Sequence, residues 1–482
     1  MSKIIGRQAE IKILEMILSS KQAELVAVYG RRRIGKTYLI HQLFSKKGVY
    51  LECSGLKNGT MHDQLTNFVL MIQKEFYPNI SLERPKSWKE AFTLLTKQFE
   101  MIPNKKKIIL FLDELPWLAT KKSKFLQEFD YFWNTVWSRM ANLKIILCGS
   151  AASWMLDNLI HAKGGLYNRI TKTIRLDPFT LGETKALLES NGFKLTHQQV
   201  LELYMVLGGV PFYINQLQKD KSISQNINDL CFTETGLLYS EFDRLFKSLF
   251  SAYEENLSIV KQIAQYRYGI GMSDLTNKLG KKPGGRFGER LHELEAAGFV
   301  QRQMPFGRKQ RDSIYKIIDE YTLFYFQWIN EVIGKIPKNT NYWHQISKSS
   351  SWQAWSGFSF EMICFKHIDK IIQALKLEQM GCLISTWKFI PKQGEKKQGA
   401  QIDLLLDRND NAITICEIKY NSSLFSIDKN YAKNLANKIE IFEKESKTPK
   451  QVFLAMVTAS GLKKNIWSED LVHQSVELKD FF

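Results

Sequence analysis

ELVAVYGRRRIGKTYLIHQLF, residues 24–44, decides the fold of this 482-residue chain. Residues 24–29 form a short apolar run of β-branched and aromatic types, which predicts a buried strand. GRRRIGKT at 30–37 follows with the spacing G-x-x-x-x-G-K-T, and TYLIHQLF predicts a helix directly after it. Strand, glycine loop and helix in that order predict a phosphate-binding loop at the edge of an open parallel sheet. Gly30 and Gly35 let the backbone turn so that its N–H groups converge on phosphate oxygens at the positive end of the helix dipole. Lys36 is expected to reach the β and γ phosphates of ATP, and the Thr37 hydroxyl to ligate Mg²⁺. Arg31, Arg32, Arg33, Ile34 and Tyr38 complete the expected ATP-binding stretch.

Two further apolar runs extend the sheet. KKKIILFLDELPW at 105–117 is continuously apolar from Ile108 to Leu112, as a parallel strand covered on both faces should be. It ends in Asp113, expected to hold Mg²⁺ through its water shell, and Glu114, expected to orient or deprotonate the attacking water. A surface acidic pair after a strand is the competing reading. LKIILCGSAASW at 143–154 ends in Gly149 and Ser150, where open α/β sheets place ligand contacts. Ser150 reads equally as a γ-phosphate contact and as a plain strand-end turn. Arg169 in LYNR reads as a transition-state charge stabiliser or as a solvated arginine.

A chain of this length divides into three or four domains of about 100–200 residues each. A hydrophobic fraction of 44% and a charged fraction of 24% exclude disordered and fibrous classes. The formal charge of +18 creates a field that attracts polyanions, and DNA is the expected partner. The six cysteines lie far apart without zinc spacing, so buried reduced thiols are expected. MSKIIGRQAEIKILEMIL has no secretory pattern and no run of 18 apolar residues occurs, which predicts a cytoplasmic protein without a membrane partner. Oligomeric state stays open, a homo-oligomer included.

MSDLTNKLGKKPGGRFGERLHELEAAGFVQRQMPFGRKQRDSIYKIID at 272–319 predicts helix, turn, helix and a two-stranded hairpin turning at Phe306 and Gly307, the pattern of a winged helix. Gly298 is expected to end the second helix. Arg286, Arg290, Arg308, Lys309 and Arg311 are its expected DNA phosphate contacts, with Lys281, Lys282 and Arg302 beside them. The competing reading is an internal packing module.

From about Trp343 an aromatic helix leads into two strand patterns, QIDLLLD at 401–407 and ITICEIK at 413–419. Asp403, thirteen residues, Glu417-x-Lys419 is the arrangement of a metal-dependent nuclease. Strand alternation puts Glu417 and Lys419 on one face, and carboxylates on otherwise apolar strands are compensated by a shared cation. Asp403 and Glu417, with Glu361 from the upstream helix, are the expected metal ligands, and Lys419 the catalytic cation. A solvated hairpin of alternating charge is the competing reading.

IIGRQAEIKIL at 4–14, the phosphate loop, LFLDE, CGS, LYNR, LDPF at 176–179 and GGVPFYI at 208–214, taken together, resemble the archaeal ATPase family, in the AAA-related STAND group of P-loop NTPases. The resemblance covers about the first 240 residues. It implies that Ile4, Ile5 and Arg7 lie near the adenine, and that Gly209, Val210 and Pro211 sit in a helical lid reporting nucleotide state. Residues 340–482 resemble the domain of unknown function usually attached to archaeal ATPases, which is similar to the PD-(D/E)xK nucleases. Glu361, Asp403, Glu417 and Lys419 match that superfamily's helix glutamate, metal aspartate and E-x-K positions. The expected organisation is an α/β P-loop core over 1–178, a helical lid over 179–248, a winged helix over 249–335 and a restriction-endonuclease-like α/β domain over 340–482. The expected function is an ATPase coupled to DNA binding and Mg²⁺-dependent DNA cleavage; the alternative is a non-cleaving ATP-dependent switch that binds DNA or a protein.

Overall fold

The computed structural model describes residues 4–120, 122–161, 165–335, 342–391 and 398–482. The boundary expected between 335 and 340 therefore lies outside the described residues. The chain packs as two compact units. One runs to Pro178 and takes in Leu249–Ser251 and Ala296–Gly298; the other holds the rest.

In the first unit, β1 (Glu24–Tyr29), β2 (Val49–Ser54), β3 (Ile108–Asp113), β4 (Leu143–Gly149) and β5 (Lys172–Arg175) form one parallel sheet in the order β2-β3-β4-β1-β5. The unbroken apolar runs follow from two cores. Leu25, Ala27, Leu110 and Leu112 face one, packed with Trp88, Phe92, Phe125 and Trp137. Val26, Val28, Ile109 and Phe111 face the other, packed with Ile17, Leu39 and Ile40. Because β1, β3 and β4 are neighbours and parallel, the loops after them open on one edge of the sheet. Gly30 leaves β1 at φ +146°, and a Cβ there would sit 2.2 Å from the Leu176 carbonyl oxygen, so only glycine fits.

The second unit begins with the helices Leu181–Ser190, His197–Leu207, Pro211–Ile214 and Ile223–Cys231. Gly208 and Gly209 both take left-handed backbone between the second and third, and Pro211 opens the third. A Cβ on Gly209 would lie 2.1 Å from the Phe179 carbonyl oxygen, and Phe179 N donates to Gly209 O at 2.7 Å. Next come the helix Tyr253–Ala264, β6 (Ile270–Gly271), the helices Met272–Lys278 and Gly285–Ala296, then β7 (Val300–Gln303) and β8 (Ile314–Ile317). The three strands pair antiparallel in the order β6-β8-β7. The hairpin is anchored at Phe306, while residues 307–312 of its tip are exposed. Phe306 N donates to Thr386 O at 2.8 Å, and its ring lies 5.7 Å from Phe442.

Beyond the helix Ser350–Lys366, β9 (Cys382–Phe389), β10 (Ala400–Arg408), β11 (Ala412–Lys419), β12 (Gln451–Thr458) and β13 (Gln474–Glu477) make a mixed sheet in the order β13-β12-β11-β10-β9. The hairpin β10–β11 and its neighbour β9 are antiparallel, whereas β11, β12 and β13 run parallel, with the helix Lys429–Ser446 connecting β11 to β12. The β9–β10 register shifts between Ile402 and Leu405, so the irregularity brackets Asp403. Five cysteines are buried, Cys382 is half-buried, and all six are free thiols. No described helix is long and apolar enough to cross a membrane.

Candidate nucleotide and metal sites

At the carboxyl edge of the parallel sheet, Gly35 (φ +90°) opens the helix Lys36–Phe44, and a Cβ there would meet nothing within 4 Å. The bend leaves open space where the loop would cradle a phosphate. Lys36 is buried and donates to Gly30 O at 2.8 Å, Arg31 O at 2.9 Å and Ser150 Oγ at 3.0 Å. Burial lowers its pKa, with Glu114 and Asp113 opposing. Thr37 Oγ1 donates to Asp113 Oδ2 at 2.7 Å, while Asp113 Oδ1 accepts from Glu114 N at 2.9 Å. Glu114 sits at φ +46°, a costly conformation for a residue with a Cβ, and this bend turns its carboxylate toward β4. Ser150 N reaches Glu114 Oε2 at 3.1 Å and Ser150 Oγ donates to Oε1 at 2.6 Å. Lys36, Thr37, Asp113, Glu114 and Ser150, drawn from three separate stretches of chain, thus form one hydrogen-bonded group. The hydroxyl and carboxylate at 2.7 Å are hard oxygen donors of the kind Mg²⁺ takes, so the residues fit that ion.

The remaining loop positions divide. Arg31 and Ile34 are buried, Arg33 is left-handed, the Arg32 guanidinium lies 6.0 Å from the Trp117 ring, and Tyr38 is exposed. Arg7 is brought to the loop: its Nη2 donates to Ile34 O at 3.2 Å and its Nη1 pairs with Glu10 at 3.5 Å. Ile4 packs against the core that holds Ile34. Arg169 is exposed in the short 3-10 turn Gly165–Arg169 and takes no part in this network.

In the second unit, Glu361 on the helix Ser350–Lys366 and Asp403 on β10 line one cleft of about 370 Å³. Burial pushes the Glu361 carboxyl up to about 7, with Asp403 adding to the rise and Arg267 opposing it. Asp403 is raised by burial and then by Glu417. Arg267 Nη2 pairs with Glu361 Oε1 at 3.0 Å, and Gln401 Nε2 donates to Asp403 Oδ1 at 3.2 Å. Glu417 is engaged differently. Lys419 Nζ lies 2.9 Å from its Oε1, Lys438 Nζ pairs with its Oε2, and Tyr431 OH donates to Oε1 at 2.7 Å. Burial opposes its ionisation, but Lys438 and Lys419 outweigh that and hold its pKa low. Among the described residues no three His, Cys, Asp or Glu side chains stand at metal-binding spacing. Glu361 and Asp403, raised carboxylates on one cleft, are hard oxygen donors of the kind a divalent cation takes, whereas Glu417 is matched to Lys419 and Lys438.

Sequence reasoning missed Tyr431, Lys438, Arg267 and Lys316. Tyr431 and Lys438 are seven residues apart on one helix and so share a face, a signal present in KNYAKNLANK. Arg267 lies 94 residues from Glu361 and carried no local signal.

The expected DNA contacts also separate. Arg290 is mostly covered and paired with Glu293 at 3.0 Å, so it offers little to a phosphate. Arg286 is exposed but paired with Glu255 at 2.9 Å. Lys309 and Arg311 are exposed, the latter 3.9 Å from Asp312, and Arg308 lines the cleft that holds Glu361 and Asp403.

Residues 4–217 match the model of an ATPase domain predominantly from Archaea. The uncharacterized protein MJECL04 of Methanocaldococcus jannaschii is 25% identical over 429 residues, covering 86% of this chain and 87% of that one. The uncharacterized ATP-binding protein MJ0423 of the same organism is 38% identical over 45 residues, 9% of this chain and 76% of that protein. Among solved structures, the Walker-type ATPase PABY2304 of Pyrococcus abyssi superposes with a TM-score of 0.51 at 20% identity, covering 67% of this chain and 96% of that one.

Proposed function

We propose that this chain, whose amino-terminal part is a P-loop ATPase domain of the archaeal type, couples turnover of ATP to metal-dependent cleavage of nucleic acid by its carboxyl-terminal part. One observation carries the second half: two half-buried carboxylates, Glu361 and Asp403, line one cleft, where burial and then the Asp403 charge raise Glu361, a penalty that a cation cancels.

At the loop, Lys36 exchanges the carbonyls of Gly30 and Arg31 for the β and γ phosphates. Thr37 and Asp113 would hold Mg²⁺, which when bound supplies charge shielding for the γ-phosphoryl oxygens. Glu114, aligned by both polar groups of Ser150, orients the water and accepts its proton. At the other site Glu361, Asp403 and Glu417 would hold Mg²⁺, which supplies charge neutralisation at the scissile phosphate. Lys419 places a positive charge beside it. The β6-β8-β7 sheet with its three helices is read as a winged helix that packs on the cleavage fold through Phe306. A route from the glycine turn to the cleft runs through one part-buried ion pair. Lys366 Nζ lies 2.7 Å from Glu320 Oε2, that oxygen is 2.8 Å from where a Cβ on Gly208 would sit, and Lys366 is on the helix of Glu361.

The second reading, a non-cleaving switch that binds DNA or a protein, is favoured by the two ammoniums already matched to Glu417. Plasmid and oligonucleotide DNA incubated with Mg²⁺ or Mn²⁺, with and without ATP, separates the two: metal-dependent nicking selects cleavage, and intact DNA with retained ATP turnover selects the switch.

A further inference from the structure

The cleft bearing Glu361 and Asp403 has walls that the cleavage reading leaves unused. Arg267, Arg308, Lys316 and Lys388 line it, and Tyr268 stands among them. Tyr268 is 43% exposed, so its ring is available to a planar ligand. Arg267 and Lys388 lie 5.5 Å and 5.3 Å from that ring, and Arg267 also lies 5.1 Å from Phe358. Cations in register with an exposed aromatic face are the surface on which phosphates and bases of a single strand are held together. Size decides against a duplex. About 370 Å³ is at the low end of small-ligand sites and accepts one nucleotide at a time.

We propose that this cleft binds single-stranded nucleic acid, one base stacking on Tyr268 and the flanking phosphates taken by Arg308, Lys388 and Arg267. The proposal rests on the cleavage reading for its purpose and names the substrate class of that site. Arg267 is a positioning residue: its 3.0 Å pair with Glu361 is exchanged for a phosphate when the strand enters, which frees that carboxylate. The hairpin contributes Pro305, Arg308 and Asp312 to the lining of the cleft.

The test is fluorescence anisotropy with a labelled twelve-residue oligothymidylate and a duplex of equal length, on the full chain in chelator without ATP, so that no cleavage occurs. The wild type is expected to bind the single strand about tenfold or more tightly than the duplex. Tyr268→Ala should weaken single-strand binding by about 5- to 100-fold, as loss of one base stack does. Arg308→Glu should weaken it and flatten its salt dependence. Both side chains are exposed, so folding is retained, and circular dichroism verifies it. Equal or tighter duplex binding, or single-strand binding unchanged in both variants, overturns the proposal. Because binding is read in chelator, a tight single-strand complex in a protein that never cuts would defeat the cleavage reading alone, and cleavage of duplex without single-strand preference would defeat this inference alone.

Discussion

His367 offers a quantitative test of how the second unit is held together. Its Nε2 accepts from Leu181 N at 2.9 Å, and Nδ1 lies 2.9 Å from Ile363 O, so the neutral ring with its proton on Nδ1 satisfies both. A proton on Nε2 would remove the acceptor and set a positive charge at the amino terminus of the helix Leu181–Ser190, where the dipole is also positive. Burial, aided by Lys366 and Lys370, lowers its pKa from 6.5 to about 4. A fall of that size corresponds to about 3 kcal/mol. The sign is fixed by which state takes the proton first. The unfolded histidine is protonated as pH drops through 6.5, the folded one only near 4, so stability is intact above 6.5 and is lost progressively between those values. The assay is the thermal midpoint against pH for wild type and His367→Gln, whose amide keeps an acceptor and a donor but does not titrate. The wild type should lose roughly 5 °C more than the variant between pH 7 and pH 4. Parallel curves, or a His367 proton that titrates at 6.5 by NMR, would refute the reasoning.

Other outcomes follow from the same structure. Gly30→Ala places a Cβ against the Leu176 carbonyl oxygen, so it should cost about 1–3 kcal/mol of stability and block nucleotide binding, read by denaturation and a fluorescent ATP analogue. Lys36→Ala should lose ATP binding, whereas Glu114→Gln should bind ATP and hydrolyse it about 10²- to 10⁴-fold more slowly, since an amide accepts no proton; normal turnover would assign the base elsewhere. Lys366→Met leaves Glu320 buried without its ammonium and should destabilise the chain by about 3–5 kcal/mol in urea titration.

The phosphate loop was legible because its chemistry is local: eight consecutive residues set the backbone bend, the lysine and the hydroxyl. The strands ending at Asp113 and Gly149 were legible because a parallel strand covered on both faces reads as an unbroken apolar run. At the second site, strand alternation correctly put Glu417 and Lys419 together. Lys316 reaches the cleft from the hairpin that docks on β9, and Arg267 from the turn before β6, tertiary placements that no periodicity encodes. The same docking is why Arg308 faces a cleft and why the hairpin is anchored at Phe306. Arg290 misled because a basic residue on a helix stripe looks alike whether a phosphate or Glu293 is its partner.

The coupling of an ATPase to cleavage stands or falls on Asp403. Supercoiled plasmid and a labelled single strand, incubated with Mn²⁺ and ATP, should be cut by the wild type and left intact by Asp403→Ala, while both proteins hydrolyse ATP at similar rates because Asp403 lies outside the unit that carries the phosphate loop. Cleavage that persists in Asp403→Ala, or a wild type that hydrolyses ATP and cuts neither substrate, would contradict it.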